Sequence, residues 1–127
     1  MTVNDIFENC LALGLELHGD NTDFDSFVIP HFNLLIAELQ HYNNVARERN
    51  GKEKLASYPF IHSKEEESPF EEVLYSAVVY GLYAKLMLAD GDSEQGGTYL
   101  QMYYAHRDAA LKAEAEDVED CYAADYC

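Results

Sequence analysis

Basic residues are scarce in this sequence. Eight lysines and arginines stand against 24 aspartates and glutamates, which gives a formal net charge of −16 over 127 residues. Binding to DNA or to an anionic membrane surface draws much of its affinity from lysine and arginine. The composition therefore argues against unaided binding to either, and it predicts strong self-repulsion unless a partner or an ordered assembly spaces the charge.

Frameworks for disulfides and metals are also missing. The three cysteines, Cys10, Cys121 and Cys127, cannot all pair with one another and show no CxxC spacing. The five histidines form no HxxxH or HExxH pair, so no zinc site is indicated. Residues 90–94 and 21–25 resemble calcium loops in composition but lack the glycine and glutamate such loops need. We expect free thiols, no metal and no cofactor.

Catalytic and targeting motifs are missing as well. There is no GxxxxGK[ST], no GxGxxG after a strand and no GxSxG. Carboxylates are numerous, but nothing singles out one of them as a general acid or base. The N-terminal residues lack the basic-then-apolar pattern of a secretion signal. We therefore expect a protein that is not an enzyme and that is made and used in the cytosol.

One stretch, Pro69 to Asp90, is predicted to be a central helix buried on most sides. It is apolar on one broad face and over much of the other. Ser68 suits an N-cap, Pro69 the first helical position, and residues 90–92 the stop. Lys85 and three tyrosines interrupt a run already short for a bilayer span, which argues against a membrane helix.

Hydrophobic periodicity predicts an all-α fold, a small bundle of about four helices around that central helix. Thr2 and Asp5 are spaced like a capping box. Pro30 should disturb the second helix, so we expect irregularity before Ile29 and regular helix after it. The four predicted helices are Thr2 to about Leu17, Phe24 to Glu48, Pro69 to Asp90, and one that Ser93 caps.

Asn50–Gly51 is the predicted stop of the second helix, and a long segment without helical periodicity, Gly51 to Ser68, separates it from the central helix. It is either a functional excursion or contains short extended pieces such as Leu55 to Ile61. Basic residues cluster at its start and acidic residues at its end. These two clusters either pair with those of a neighbouring copy of the chain or are solvated at a surface turn. The inter-subunit candidates are Arg47, Arg49, Lys52, Lys54, Glu65, Glu66 and Glu67.

The C-terminal residues, Glu114 to Cys127, contain six acids and no base. Such an extended acidic segment is typically disordered when free. Val118, Tyr122 and Tyr126 are interleaved with the acids, which is also typical of a segment that orders on a partner. Both interpretations stay open.

Tyrosine is unusually frequent, with ten tyrosines and no tryptophan. Tyrosines at exposed-looking helix positions supply large amphipathic surfaces of the kind found in subunit contacts. The alternative is that they rim the core with hydrated hydroxyls. We expect an assembly, with candidate contact residues Tyr75, Tyr80, Tyr83, Tyr103 and Tyr104.

Three stretches, MTVNDIFENCLAL, FVIPHFNLLIAELQHYNN and VVYGLYAKLMLADGDSEQGGTYLQMYYAHRDAA, carry a family resemblance. In this order the chain resembles the head-to-tail connector proteins, also called adaptor or head-completion proteins, of long-tailed double-stranded DNA bacteriophages. The most specific pieces are the second helix centred on Pro30 with Asn33, Glu38 and the Asn43–Asn44 pair, and the step Tyr80–Leu82.

The resemblance implies a structural virion protein of the phage neck. Such proteins form a ring, generally of about twelve copies, that joins head to tail beneath the portal and continues the DNA channel. The implied partners are other copies, the portal protein and the next neck or tail component, without sequence-specific DNA binding. The implied division is a helical connector domain, 1–113, and a portal-docking tail, 114–127, with Val118, Tyr122 and Tyr126 as anchors. The implied location is the virion neck, assembled in the bacterial cytoplasm.

A different class competes with this one. A net charge of −16 also suits an acidic DNA mimic, a small protein whose carboxylates occupy the basic groove of a host DNA-binding protein. The acids are concentrated in the tail, at Glu65 to Glu67 and at helix starts, which fits one continuous phosphate-like face less well.

Overall fold

Helices make up most of the fold. A computed structural model describes residues 1–13 and 25–126, with side chains described for 1–13 and 26–112. Within these residues there is no β-strand, only an isolated bridge between Thr2 and Glu67. The predicted all-α bundle is confirmed. The helices are α1 (Val3–Ala12), α2 (Asp25–Arg49), α3 (Tyr75–Ala89) and α4 (Ser93–Tyr126), with a 3₁₀ turn, Glu72–Leu74, leading into α3.

Helix α3 lies at the centre, as predicted, and packs against α1, α2 and α4. At Gly81, side chains from α2 and α4 pack closely against α3. A Cβ atom added there would lie 2.8 Å from Cδ2 of Leu35 on α2 and 2.9 Å from Cδ1 of Tyr103 on α4. A larger residue at this position would force the side chains of Leu35 and Tyr103 to shift.

By length and composition alone, Glu72–Ala89 could cross a membrane, and it is the one such helix among the described residues. Half of that window is buried inside the fold. The core helix of a soluble protein meets the same criterion, because a helix covered on several sides is apolar around most of its circumference.

Both predicted helix stops are confirmed. Helix α2 ends at Gly51, whose φ of 78° suits glycine. The N–H of Lys52 then donates to the carbonyl of Arg47 at 2.8 Å, the six-to-one bond of a Schellman cap. Helix α3 ends in the same way at Gly91, with φ of 86°.

The predicted helix starts are correct at α1 and wrong at α3. Thr2 and Asp5 form the capping box, with backbone to side-chain distances of 2.9 and 3.1 Å. Helix α3 begins only at Tyr75, and Ser68 accepts a bond from Phe70 instead of capping a helix. The chain before the 3₁₀ turn is held to Asn43 of α2, and this keeps it out of the helical register.

Helix α4 begins at Ser93, but the cap is the preceding residue. The carboxylate of Asp92 accepts from the N–H of Gln95 at 3.0 Å, which is the N-cap interaction. Ser93 is therefore the first helical residue, and its predicted capping role is wrong.

The prediction of irregularity before Ile29 is also wrong. Helix α2 is continuous from Asp25 with Pro30 inside it. Pro30 lies in the second turn, where its missing N–H removes one bond close to the helix start.

The acidic residues 114–126 continue α4 and form no separate extended element of the backbone. Their side chains, including those of Val118, Tyr122 and Tyr126, lie outside the described residues. So does Leu17, the predicted end of the first helix, while α1 is described to Ala12.

Candidate interaction surface

Three asparagines of α2 fasten the loop, Gly51 to Ser68, and the residues just after it to the helix. In each case one carboxamide donates to a backbone carbonyl and accepts from a backbone N–H of these residues, so it replaces a peptide partner. The loop therefore has its backbone bonds supplied by side chains. The pairs are Asn33 with Ile61 (2.9 and 3.0 Å), Asn43 with Glu71 and Pro69 (2.8 and 3.0 Å), and Asn44 with Leu55 (2.8 and 3.5 Å).

These bonds lay the loop antiparallel along α2. Leu55 is held at Asn44 and Ile61 at Asn33. Six extended residues span about 20 Å, while the helix between the two asparagines rises about 17 Å. The predicted extended piece, Leu55 to Ile61, thus lies beside the helix and has no β-partner among the described residues.

A buried charged cluster, which we call the Glu71 site, joins the start of the loop to the residues just after its end. Glu71 is 7% exposed. Its Oε1 accepts from Nδ2 of Asn50 and from Nζ of Lys52, each at 2.9 Å, and Nη1 of Arg47 lies 3.9 Å from Oε2. Burial alone raises the pKa of Glu71, but the bonds from Asn50 and Lys52 and the charges of Lys52 and Arg47 outweigh it and lower the pKa.

The same residues line a polar cavity of about 490 Å³. The carboxylate of Glu71 is already paired with two cations and an amide, so it needs no further partner. We interpret the Glu71 site as a fastening of the loop to α2.

All seven predicted inter-subunit charges have a partner inside the chain. Their role between copies remains a prediction. Besides Arg47 and Lys52 at Glu71, the contacts are Lys54 with Glu48 (3.3 Å), Arg49 with the carbonyl of Leu111 (2.9 Å), Glu65 with Ser63 (2.5 Å), Glu66 with the N–H groups of His62 and Ser63 (2.6 Å each), and Glu67 with the N-terminal ammonium (3.0 Å).

Most basic side chains are thus engaged by the chain's own groups. Lys64 lies over the ring of Phe7, 5.4 Å from its centroid. Because the chain has only eight lysines and arginines, their internal pairing leaves the surplus of acids to set the surface potential. Ion pairs with carboxylates are formed by Arg47, Lys52, Lys54, Lys85 and Arg107.

More than half of the exposed large apolar side chains belong to two adjacent segments of the fold. Among the described residues, seven large hydrophobic side chains are exposed, and four of them belong to residues 26–37 of α2 or 55–63 of the loop. Phe60 is the most exposed, at 64%. The bond between Asn33 and Ile61 places the two segments side by side. We call this the uncharged surface; its large side chains are Phe27, Leu34, Tyr58 and Phe60.

No aspartate, glutamate, lysine or arginine occurs in residues 26–37 or 55–63. Burial, and secondly the nearby charge of Lys85, lower the pKa of His31, which favours its neutral form. Glu38, just beyond the edge, is paired with Lys85 at 2.6 Å. An exposed apolar patch in a strongly acidic chain is typical of a protein contact site.

Sequence reasoning missed these four side chains. Phe27 and Leu34 fall outside the apolar face of α2 that carries Val28, Phe32 and Leu35, so their helical spacing was an available signal. Tyr58 and Phe60 lie in a segment without charge, which was a second signal.

The predicted exposure of the tyrosines is wrong for two of them. Tyr83 and Tyr103 are each 1% exposed, because α4 approaches α3 closely at Gly81. The hydroxyl of Tyr103 donates to Glu38 at 3.0 Å, and burial together with that carboxylate raises its pKa. Tyr104 is exposed, at 38%.

The described residues bring together no group of three or more histidine, cysteine, aspartate or glutamate side chains that could hold a metal ion. The thiol of Cys10 is fully buried and donates to the carbonyl of Val79 at 3.4 Å. Burial raises its pKa to about 12, so it stays protonated and poorly nucleophilic at neutral pH.

Comparison with known proteins gives no relative: no family model matches the chain, and neither a curated protein nor a solved structure is significantly similar to it.

Proposed function

We propose that this chain is a structural subunit of the neck of a long-tailed bacteriophage, one copy of a ring that joins head to tail beneath the portal. The observation that carries the proposal is the uncharged surface formed by Phe27, Leu34, Tyr58 and Phe60. An acidic chain with its large exposed apolar groups gathered on one surface is suited to contact with other protein subunits.

The charge distribution supports the same role. The loop cations are paired inside the chain, and the net charge is −16. A ring built from such subunits would let DNA pass without retaining it, because a basic channel would hold phosphates through counterion release. The role is assembly and passage, without catalysis.

The resemblance to connector proteins gives the proposal its specific form. The residues that carry the resemblance include Asn33, Asn43 and Asn44, and these three fasten the loop to α2. They hold Phe60 and Tyr58 beside α2, so the motif has a physical task in presenting the uncharged surface.

Mass spectrometry of purified DNA-filled particles from the source tests the proposal. We expect the chain in the particle at about twelve copies, together with the portal protein. Its absence from DNA-filled particles would refute the neck assignment.

The acidic DNA mimic is the second candidate, favoured by the unpaired surplus of carboxylates. A mimic would bind a purified basic DNA-binding protein, and the affinity would fall steeply between about 50 and 500 mM salt, concentrations chosen to span the Debye lengths over which surface charges act. Weak, salt-insensitive binding would exclude this alternative.

A further inference from the structure

We infer that neighbouring copies of this chain join by inserting Phe60 of one copy into an apolar groove between α1 and α3 of the next. The inference rests on the proposed function, because a ring requires a heterologous contact between two different surfaces of the same chain. Phe60 supplies the projecting surface, and the groove supplies the receiving one.

The groove has a volume of about 300 Å³. Ala12 and Leu13 form its α1 side, and Tyr75, Val79 and Tyr80 form its α3 side. This volume is at the small end of ligand pockets and suits one aromatic side chain. The walls combine apolar carbon with two tyrosine rings, which favour edge and offset contacts with another ring.

Among the described residues, no charged side chain lines the groove. Its other lining residues are Met1, Asn9 and Ser76, and the N-terminal ammonium of Met1 is paired with Glu67 at 3.0 Å. The two other cavities described are lined by the charged groups of the Glu71 site and by the acidic turn 90–94. The groove is therefore the cavity that an uncharged ring can enter without desolvating a carboxylate.

The absence of charge from both surfaces favours a second copy over a basic partner as the occupant. Two chains of net charge −16 repel each other over most of their surfaces. Contact between the uncharged surface of one copy and the uncharged groove of the next brings together the regions where this repulsion is weakest. A basic partner would be drawn instead to the acidic surroundings and would have no need of either region.

The two surfaces belong to different parts of the chain. Phe60 lies in the loop segment held beside Asn33 of α2, whereas the groove is built by α1 and α3. Phe60 is 64% exposed and does not line the groove of its own chain. Each copy can therefore give its ring to one neighbour and receive a ring from another, as a closed ring requires.

Two substitutions test the contact by sedimentation equilibrium of the full chain. Phe60→Ser removes the projecting ring, and Ala12→Phe fills the groove from an exposed helix position. Each should weaken self-association about tenfold or more. The double variant should be no weaker than either single variant, because both changes remove the same contact. Leu88→Ser, at an exposed leucine outside both surfaces, is the matched control and should associate like the wild type.

Photocrosslinking identifies the partner directly. A benzoylphenylalanine at position 60, in an equal mixture of light and ¹⁵N-labelled chains, should crosslink to residues 12–13 or 75–80 of a chain with the opposite label. Crosslinks confined to one chain, crosslinks to other regions, additive effects of the two substitutions, or a monomer at every concentration would each overturn the inference.

The two proposals fail separately. If the chain is present in particles but position 60 crosslinks there to a different protein, the neck assignment stands and the self-contact is wrong. If copies crosslink through the groove but particles lack the chain, the contact stands and the neck assignment is wrong.

Discussion

Helix α2 carries two regions that use their side chains in opposite ways. At its C-terminal end, Arg47, together with Asn50 and Lys52 just beyond the helix, binds the buried carboxylate of Glu71. Toward its N-terminus, Phe27 and Leu34 turn outward, 44% and 51% exposed. The charged region is satisfied within the chain, and the apolar region is not. On the proposed function, the contact site is marked by exposed apolar groups and not by the density of charge.

Free energy explains the difference. A charged pair that is already hydrogen-bonded inside one chain gains little free energy by contacting another copy, because the new contact must first compensate for the cost of removing water from the charged groups. An exposed aromatic or leucine side chain gains about 25 cal/mol for each Å² it buries. Four substitutions can sharpen or break this comparison.

The largest effect is expected from Asn43→Ala, which removes the side chain that holds the backbone of Glu71. Asn43 is 4% exposed and bonds the backbone of Pro69 and Glu71 at 3.0 and 2.8 Å. Its loss leaves one buried and one partly buried peptide group unpaired and should lower the free energy of unfolding by about 3 kcal/mol. Chemical denaturation followed by circular dichroism measures this.

Asn9→Ala is the control, because Asn9 makes one exposed bond to the carbonyl of Asp5 within α1. A change of less than about 0.5 kcal/mol is expected there. Equal effects at positions 43 and 9 would mean that the hydrogen bonds of Asn43 do not stabilise the fold.

The next effect is that of Glu71→Gln, which should lower the free energy of unfolding by about 2 kcal/mol at pH 7 by leaving two cations without their carboxylate. The folded-state pKa of Glu71 is lowered from its ordinary value of 4.5. Its ionised form therefore contributes stability above pH 4.5, and this contribution is lost as the pH falls through the folded-state value. The difference between wild type and variant should shrink below pH 4.5. A difference that stays constant from neutral to acid pH would contradict the role assigned to the charge.

A smaller effect, on association and not on folding, is expected at the outward region from Leu34→Ser. Half of this side chain is already in water, so unfolding should change by less than about 1 kcal/mol. Self-association should weaken about fivefold, because the variant loses the free energy gained when the exposed half of the leucine is buried in the contact. Sedimentation equilibrium, with Leu88→Ser as the control, measures it; equal effects of the two variants would remove the distinction between the surfaces.

The smallest effect is expected from Lys54→Gln. Lys54 pairs with Glu48 at 3.3 Å, and both side chains are more than half exposed, 64% and 52%. Such a pair contributes about 0.5 kcal/mol or less. Neither unfolding nor self-association should change measurably. A marked loss of association would mean that the loop charges join neighbouring copies after all.

The sequence allowed prediction of the helices and their stops, because these depend on local patterns. Gly51 and Gly91 end helices where a positive φ is needed, and Thr2 caps α1 through a short-range motif. The start of α3 could not be predicted in this way. It depends on Asn43, far away in the chain, which holds residues 69–71 out of the helix.

The candidate site was predicted less well for the same reason. The loop charges were visible in the sequence, but their internal partners, such as Glu71 for Lys52, appear only when distant segments meet. The exposure of Phe60 depends on Asn33 holding the neighbouring Ile61. A single sequence does not show which residues such long-range bonds will bring together.

The most direct test of the central claim is the salt dependence of self-association of the wild-type chain, measured by sedimentation equilibrium at about 50 and 500 mM salt, which span Debye lengths from roughly 14 to 4 Å. If copies join through uncharged surfaces, added salt screens the repulsion between acidic chains and association should become tighter. If association weakens with salt, or the chain is monomeric at both concentrations, copies do not join through the uncharged surface, and ion pairs or a different partner must account for assembly.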